Sequence, residues 1–104
     1  MKSIMQDDLD VCYLCGRPAG ATQAGMMDSL EWHHVFEGNP DRKLSEKYGL
    51  KVRLHALTCH REGRESVHKN SKVYREMMEA GQRAFEEVHG SREDFYRIFR
   101  KNYL

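Results

Sequence analysis

The chain has 104 residues, 39% of them apolar and 32% charged, which is enough for one domain with one modest core and too little for a second catalytic domain. No apolar run approaches the roughly 18 residues that a membrane span requires. The opening MKSIMQDDLD is acidic and has no apolar signal core, so the expected location is the cytoplasm, with no membrane partner. The formal net charge of +1 hides a segregation: residues 1–31 carry two basic and five acidic side chains, residues 32–75 ten and five, and residues 76–104 five and six. Five of the six histidines fall in the basic middle block, a combination that points to a polyanionic partner there.

In chain order, the first ordered feature is Cys12-Tyr-Leu-Cys15 followed by Gly16, a tight turn. The small-residue stretch Pro18 to Gly25 (PAGATQAG) reads as a loop. Ser29 to Phe36 reads as a strand, Gly38 to Asp41 as a turn, and Lys43 to Tyr48 as a short helix that Gly49 stops in a left-handed conformation. Leu50 to Leu57 alternates apolar and polar residues, the pattern of a half-buried strand. Thr58 to Asn70 is polar, with Gly63 in its middle, and has room for a short helical turn. From Lys72 to Val88, the residues Val73, Tyr74, Met77, Met78, Gly81, Ala84, Phe85 and Val88 recur at spacings of three and four and predict one amphipathic helix, capped by Asn70 or Ser71. Ser91 and Asp94 form a capping-box variant for a last helix that turns Phe95, Ile98 and Phe99 inward. The expected fold is α+β: one domain over 1–104, with a mixed core over about residues 12–70 and two helices over about 71–104.

Three cysteines, Cys12, Cys15 and Cys59, would leave a disulfide framework incomplete and fit metal ligation in a reducing compartment better. Zinc takes four soft or borderline donors in a tetrahedron, and His55-x-x-x-Cys59 offers the second pair. Cys12, Cys15, His55 and Cys59 are therefore the expected structural zinc ligands, with His60 or His68 as alternatives to His55. His33 and His34 are adjacent in a strand and point to opposite faces unless the strand bends or ends there.

The order Cys-x-x-Cys, His-His strand, turn-rich loop, second strand and Cys59-His60 resembles the HNH nucleases of the His-Me finger (ββα-metal) superfamily. It is most similar to the small HNH-type proteins that phages and prophages of Gram-positive bacteria encode. The stretches that carry the likeness are LEWHHVFEGNPDRKLSEKYGL, Cys59-His60 with Val67-His68, and FEEVHGSREDFYRIFRKNYL. The resemblance implies a zinc-stapled ββα-metal core and hydrolysis of DNA phosphodiester bonds. It implies His34 as general base, His33 as a ligand of a catalytic Mg²⁺ or Mn²⁺ ion, and His60 as the ligand from the motif's helix, with His68 competing for that last role. On one continuous helix His60 and His68 would stand about 12 Å apart, whereas a break at Gly63 would allow them to share an ion. The family's middle Asn has no counterpart beside Leu50-Lys51, and Asn39 lies in the earlier turn.

Arg42, Lys43, Lys47, Lys51, Arg53, Arg61, Arg64 and Lys69 are the candidates for holding the DNA backbone, contacts that give affinity without sequence choice. No base-reading element is evident, so a phage or host protein is a further expected partner, one that would supply specificity. Two other functions fit the same scaffold: a zinc-stapled nucleic-acid- or protein-binding module without chemistry, and an adaptor acting through the last two helices.

Overall fold

A computed structural model describes all residues, 1–104. The fold is α+β, with two small antiparallel sheets and three α-helices. The first sheet is a hairpin of β1 (Gly20–Ala21) and β2 (Met27–Asp28). It corrects the expected loop over Pro18 to Gly25. The Thr22 N–H donates to the Met26 carbonyl at 2.7 Å, and the Thr22 hydroxyl accepts from the Met26 N–H at 3.2 Å, which closes the turn.

The second sheet positions the candidate site. β3 (Leu30–His34) pairs with β4 (Lys51–His55), with His33 opposite Val52 and His34 opposite Lys51. Directly opposed residues share a face. Glu31 and His33 therefore lie with Leu54 and Val52 on the buried face, while Trp32 and His34 lie with Arg53 and Lys51 on the other. Between the strands runs α1 (Asp41–Tyr48), which ends at Gly49 with φ 74°. A Cβ at Gly49 would also lie 2.3 Å from the Lys2 carbonyl oxygen, so both the turn and the N-terminal segment demand glycine.

β4 runs directly into a π-helical turn, Ala56–Arg61. The Asp28 carboxylate fixes the start of this turn, accepting from the backbone N–H groups of Leu57 and Thr58 and from the Thr58 hydroxyl. The small hairpin thus delivers a cap to the segment that carries Cys59 and His60. The chain then folds back at Gly63, with Val67 N–H donating to the Cys59 carbonyl at 3.1 Å and His68 N–H to that of His60 at 3.2 Å. A Cβ at Gly63 would stand 1.9 Å from the Thr58 carbonyl oxygen, so no other residue fits the reversal.

α2 (Ser71–Val88) starts at Asn70, whose side chain accepts from the N–H groups of Lys72 and Val73. Met77, Gly81 and Phe85 are buried as the stripe predicts, and Gly81 is the point where the helix crosses Val35 and Phe36. Val88 departs from expectation: it is 55% exposed, because the helix continues past Phe85, its last core residue. The fully buried polar Gln82 was not expected. Its amide donates to Asn102 and accepts from the Tyr103 N–H, pinning the C-terminal segment to α2. α3 (Arg92–Phe99) has the Ser91/Asp94 capping box and turns Phe95 and Phe99 into an aromatic cluster with Phe36 and Phe85. Truncating any of these rings to alanine should cost about 3–5 kcal/mol. No helix is long and apolar enough to cross a membrane.

Candidate metal centres

Cys12, Cys15, His55 and Cys59 place their donor atoms within 4.8 Å of one another. The first pair comes from the N-terminal turn, closed by the Gly16 N–H donating to the Cys12 carbonyl at 2.8 Å. The second comes from the end of β4 and the π-turn, where residues 55 and 59, four apart, lie on one side of a helical turn. His55 Nε2–H donates to the Pro18 carbonyl at 2.8 Å, which leaves the Nδ1 lone pair facing Cys15 Sγ at 3.2 Å and Cys59 Sγ at 3.9 Å. Such a carbonyl-anchored imidazole is the usual support of a zinc ligand. Charge points the same way. Burial opposes ionisation of Cys15, but hydrogen bonds from the Arg17 backbone and side chain and from the other thiols outweigh it and hold Cys15 down to about 6. Burial, then the neighbouring thiols, push Cys59 up to about 12 despite the Thr58 hydroxyl. A cation among these thiols would offset the burial that disfavours the Cys59 thiolate. The cluster is therefore consistent with a structural zinc site, and its fourth donor is His55, since His60 and His68 face elsewhere.

A second cluster, His33, Glu37, His60 and His68, likewise brings its donor atoms within 4.8 Å of one another. The fold-back at Gly63 brings His60 and His68 together: their ring centroids are 4.7 Å apart, and both face His33. His60 Nδ1 is hydrogen-bonded to Glu31, so its Nε2 presents a lone pair, 3.1 Å from Nδ1 of His33. Glu37 lies 3.7 Å from His33 Nδ1 and 3.5 Å from His68 Nε2. His33 is buried, and burial first, then the charges of His60, His68 and His34, lower its pKa to about 3. It is neutral at physiological pH, as an imidazole ligand must be. Its Nε2 is buried with no hydrogen-bond partner, so the ring is held by its surroundings and by what Nδ1 faces. Converging lone pairs beside a carboxylate suit a divalent ion.

This cluster opens onto a cleft of about 530 Å³ lined by Glu31, Trp32, His33, His34, Glu37, Gly38, Arg42, His60, Arg61 and His68. β3 ends at His34, and the cleft takes its lining from both His33 and His34 and from Glu37 and Gly38 just beyond. His34 Nε2–H donates to Glu46 Oε1 at 3.0 Å. Hydrogen bonds from Lys51 and His34 hold the Glu46 carboxyl down to about 2.

Of the eight candidate phosphate contacts, only Arg42 and Arg61 line this cleft. Lys51 is engaged inside the protein: its ammonium lies 2.7 Å from Glu46 and 4.8 Å from the centre of the Trp32 ring. Arg53 donates to the Leu30 carbonyl and stacks over Trp32 at 5.3 Å. Lys43, Lys47, Arg64 and Lys69 do not line the cleft. Asn39 also lies outside it. His89 donates to the Tyr48 carbonyl at the end of α2 and has an architectural part. Four carboxylates, Asp28, Glu31, Glu37 and Glu46, escape a reading of the sequence. Strand alternation, which puts Glu31 on the face of His33, is the one signal available for any of them. Comparison of the chain with family models, with curated proteins and with solved structures found no match.

Proposed function

We propose that the protein is a metal-dependent endonuclease of the HNH kind that hydrolyses DNA phosphodiester bonds. The observation that carries this reading is one cleft holding both a His33/His60/His68 donor set and His34, whose Nε2–H is committed to Glu46. With that proton fixed, Nδ1 is the nitrogen that accepts a proton from the attacking water, and Glu46 balances the imidazolium that forms. His33 and His60 hold their positions through burial and through Glu31. His33, His60 and His68 would hold a divalent ion, which would supply charge neutralisation for the scissile phosphate and the leaving oxygen. Three imidazoles favour Mn²⁺ or another transition ion over Mg²⁺, which prefers all-oxygen sites. Arg42 and Arg61 at the cleft hold flanking phosphates. The order of parts, from the zinc-type cluster through the His-bearing hairpin to Cys59-His60, supports the ββα-metal assignment.

A second reading, a zinc-stapled binding module, has one observation in its favour: Glu37 adds a fourth donor beside the three histidines, where a hydrolytic site would need an open position. Supercoiled plasmid incubated with the protein and Mn²⁺ or Mg²⁺ separates the two. The nuclease reading expects nicking or linearisation that falls about 10²–10⁴-fold in His34→Ala, with zinc content and melting temperature kept. Retention of DNA without cleavage in either ion would establish the binding module instead.

A further inference from the structure

We propose that Glu37 is a displaceable fourth ligand, closing the His33/His60/His68 site in the resting protein and withdrawing onto Tyr74 when a phosphodiester enters. The proposal rests on the reading of the three histidines as ion ligands and adds how access to that ion is controlled. Donors around a tetrahedral ion with bonds of about 2.0–2.1 Å stand roughly 3.3 Å apart. Glu37 Oε1, at 3.5 Å from His68 and 3.7 Å from His33, is already close to that spacing. Four protein donors make a closed site, whereas a hydrolytic ion needs an open position. One donor must therefore leave.

The surroundings single out Glu37. His33 is buried within β3, and His60 is buried and fixed by Glu31. His68 is tied through its backbone to His60, and its only ion-pair partner is Glu37 itself. Glu37 sits just past the end of β3, is exposed, and precedes Gly38 at φ 85°, where the backbone has unusual freedom. Its second oxygen already accepts from the Tyr74 hydroxyl at 3.1 Å. A departing carboxylate keeps that hydrogen bond. A phosphate oxygen and a water would take its place, so the coordination number would rise from four to five while one anion replaces another. The vacated position faces the cleft that Arg42 and Arg61 line.

Cobalt reads this directly, because four-coordinate Co²⁺ absorbs strongly in the visible and five- or six-coordinate Co²⁺ weakly. Full-length protein carrying zinc at the cysteine site is titrated with Co²⁺, and the absence of thiolate-to-cobalt absorption shows that the zinc stays in place. The expected result is an intense four-coordinate band in the chain with Glu37. In Glu37→Gln the band weakens and the Co²⁺ affinity falls by at least about tenfold. In the His34→Ala background, a short DNA duplex should weaken the band only when Glu37 is present. Tyr74→Phe, which leaves the ligand set whole, should keep the band and raise the DNA concentration needed to weaken it. Identical spectra for wild type and Glu37→Gln would overturn Glu37 as a ligand while leaving the three-histidine site standing. No second-site cobalt in either protein would overturn the inference and the ion-site reading together. A band that DNA leaves unchanged would overturn displacement, and plasmid cleavage by the wild type in parallel shows whether the nuclease reading falls with it.

Discussion

The two candidate metal centres are neighbours on the chain, since Cys59 and His60 are consecutive, yet they are built on opposite logic. The cysteine cluster draws its donors from the N-terminal turn and the end of β4, and its one imidazole is anchored to a backbone carbonyl. The histidine cluster takes its donors from a strand, the loop after it and both arms of the Gly63 reversal, and carboxylates surround it. One centre lies where chain segments must be clamped together, the other beside a cleft with arginines on its lining. The π-turn joins them: clamping Cys59 also aims His60. A zinc ion at the cysteines would thus organise the frame of a second, more open site that it never touches.

The sharpest way to break this comparison is to remove the clamp. Apparent binding free energies for structural zinc run about 10–16 kcal/mol, comparable to the whole stability of a small domain at about 5–15 kcal/mol. Cys12→Ala, or a strong chelator, should therefore abolish cooperative unfolding and with it ion binding at the histidine cluster. Circular dichroism and metal analysis check this. A folded, zinc-free protein would end the account of the cysteine site.

The reverse experiment should be selective. Glu31→Gln loosens the hold on His60 and should weaken Mn²⁺ binding at the histidine cluster by about 10–100-fold. One zinc per chain should remain at the cysteines, as measured by calorimetry and metal analysis. Equal losses at both centres would mean that they are not separable.

Salt dependence then sharpens the role of the cleft. Each phosphate contact contributes about −0.9 to the slope of log K against log salt. Arg42→Ala with Arg61→Ala should flatten that slope by roughly two contacts' worth. Lys51→Ala should leave the slope unchanged, because its ammonium is bound to Glu46 and largely buried. The Arg61 guanidinium, though paired with Glu31, stays mostly exposed at the cleft. A larger effect from Lys51 would redirect the substrate path to the outer face of the sheet.

The smallest effect belongs to Glu46. Its folded pKa of about 2 lies below the ordinary 4.5, so its stabilising contribution is present above 4.5 and is lost only as pH falls towards 2. The carboxylate is half exposed, so Glu46→Gln should cost about 1 kcal/mol or less. The gap to wild type should close as pH falls from about 4.5 towards 2 in thermal melts. A gap that does not change across that window would show that a different titrating group governs the contact.

Much of this protein follows from local pattern. Period-two alternation marks β4, period-3.6 recurrence marks α2, and Ser91 with Asp94 marks the start of α3, because each reflects short-range geometry. The cysteine site is legible for the same reason: two closely spaced pairs of rare, soft donors have few other uses. The carboxylates of the second site are not legible. Glu31, Glu37 and Glu46 look like any solvated glutamate until β3, its following loop and α1 are folded beside the histidines. The union of His60 with His68 depends on a reversal that only Gly63 permits, and the engagement of Lys51 and Arg53 depends on the register of β3 against β4. Donor identity and spacing were thus determined by the sequence alone, while the tertiary structure decided which carboxylate meets which imidazole and which cations line the cleft. Those contacts join residues distant along the chain, and no periodicity along the chain encodes them.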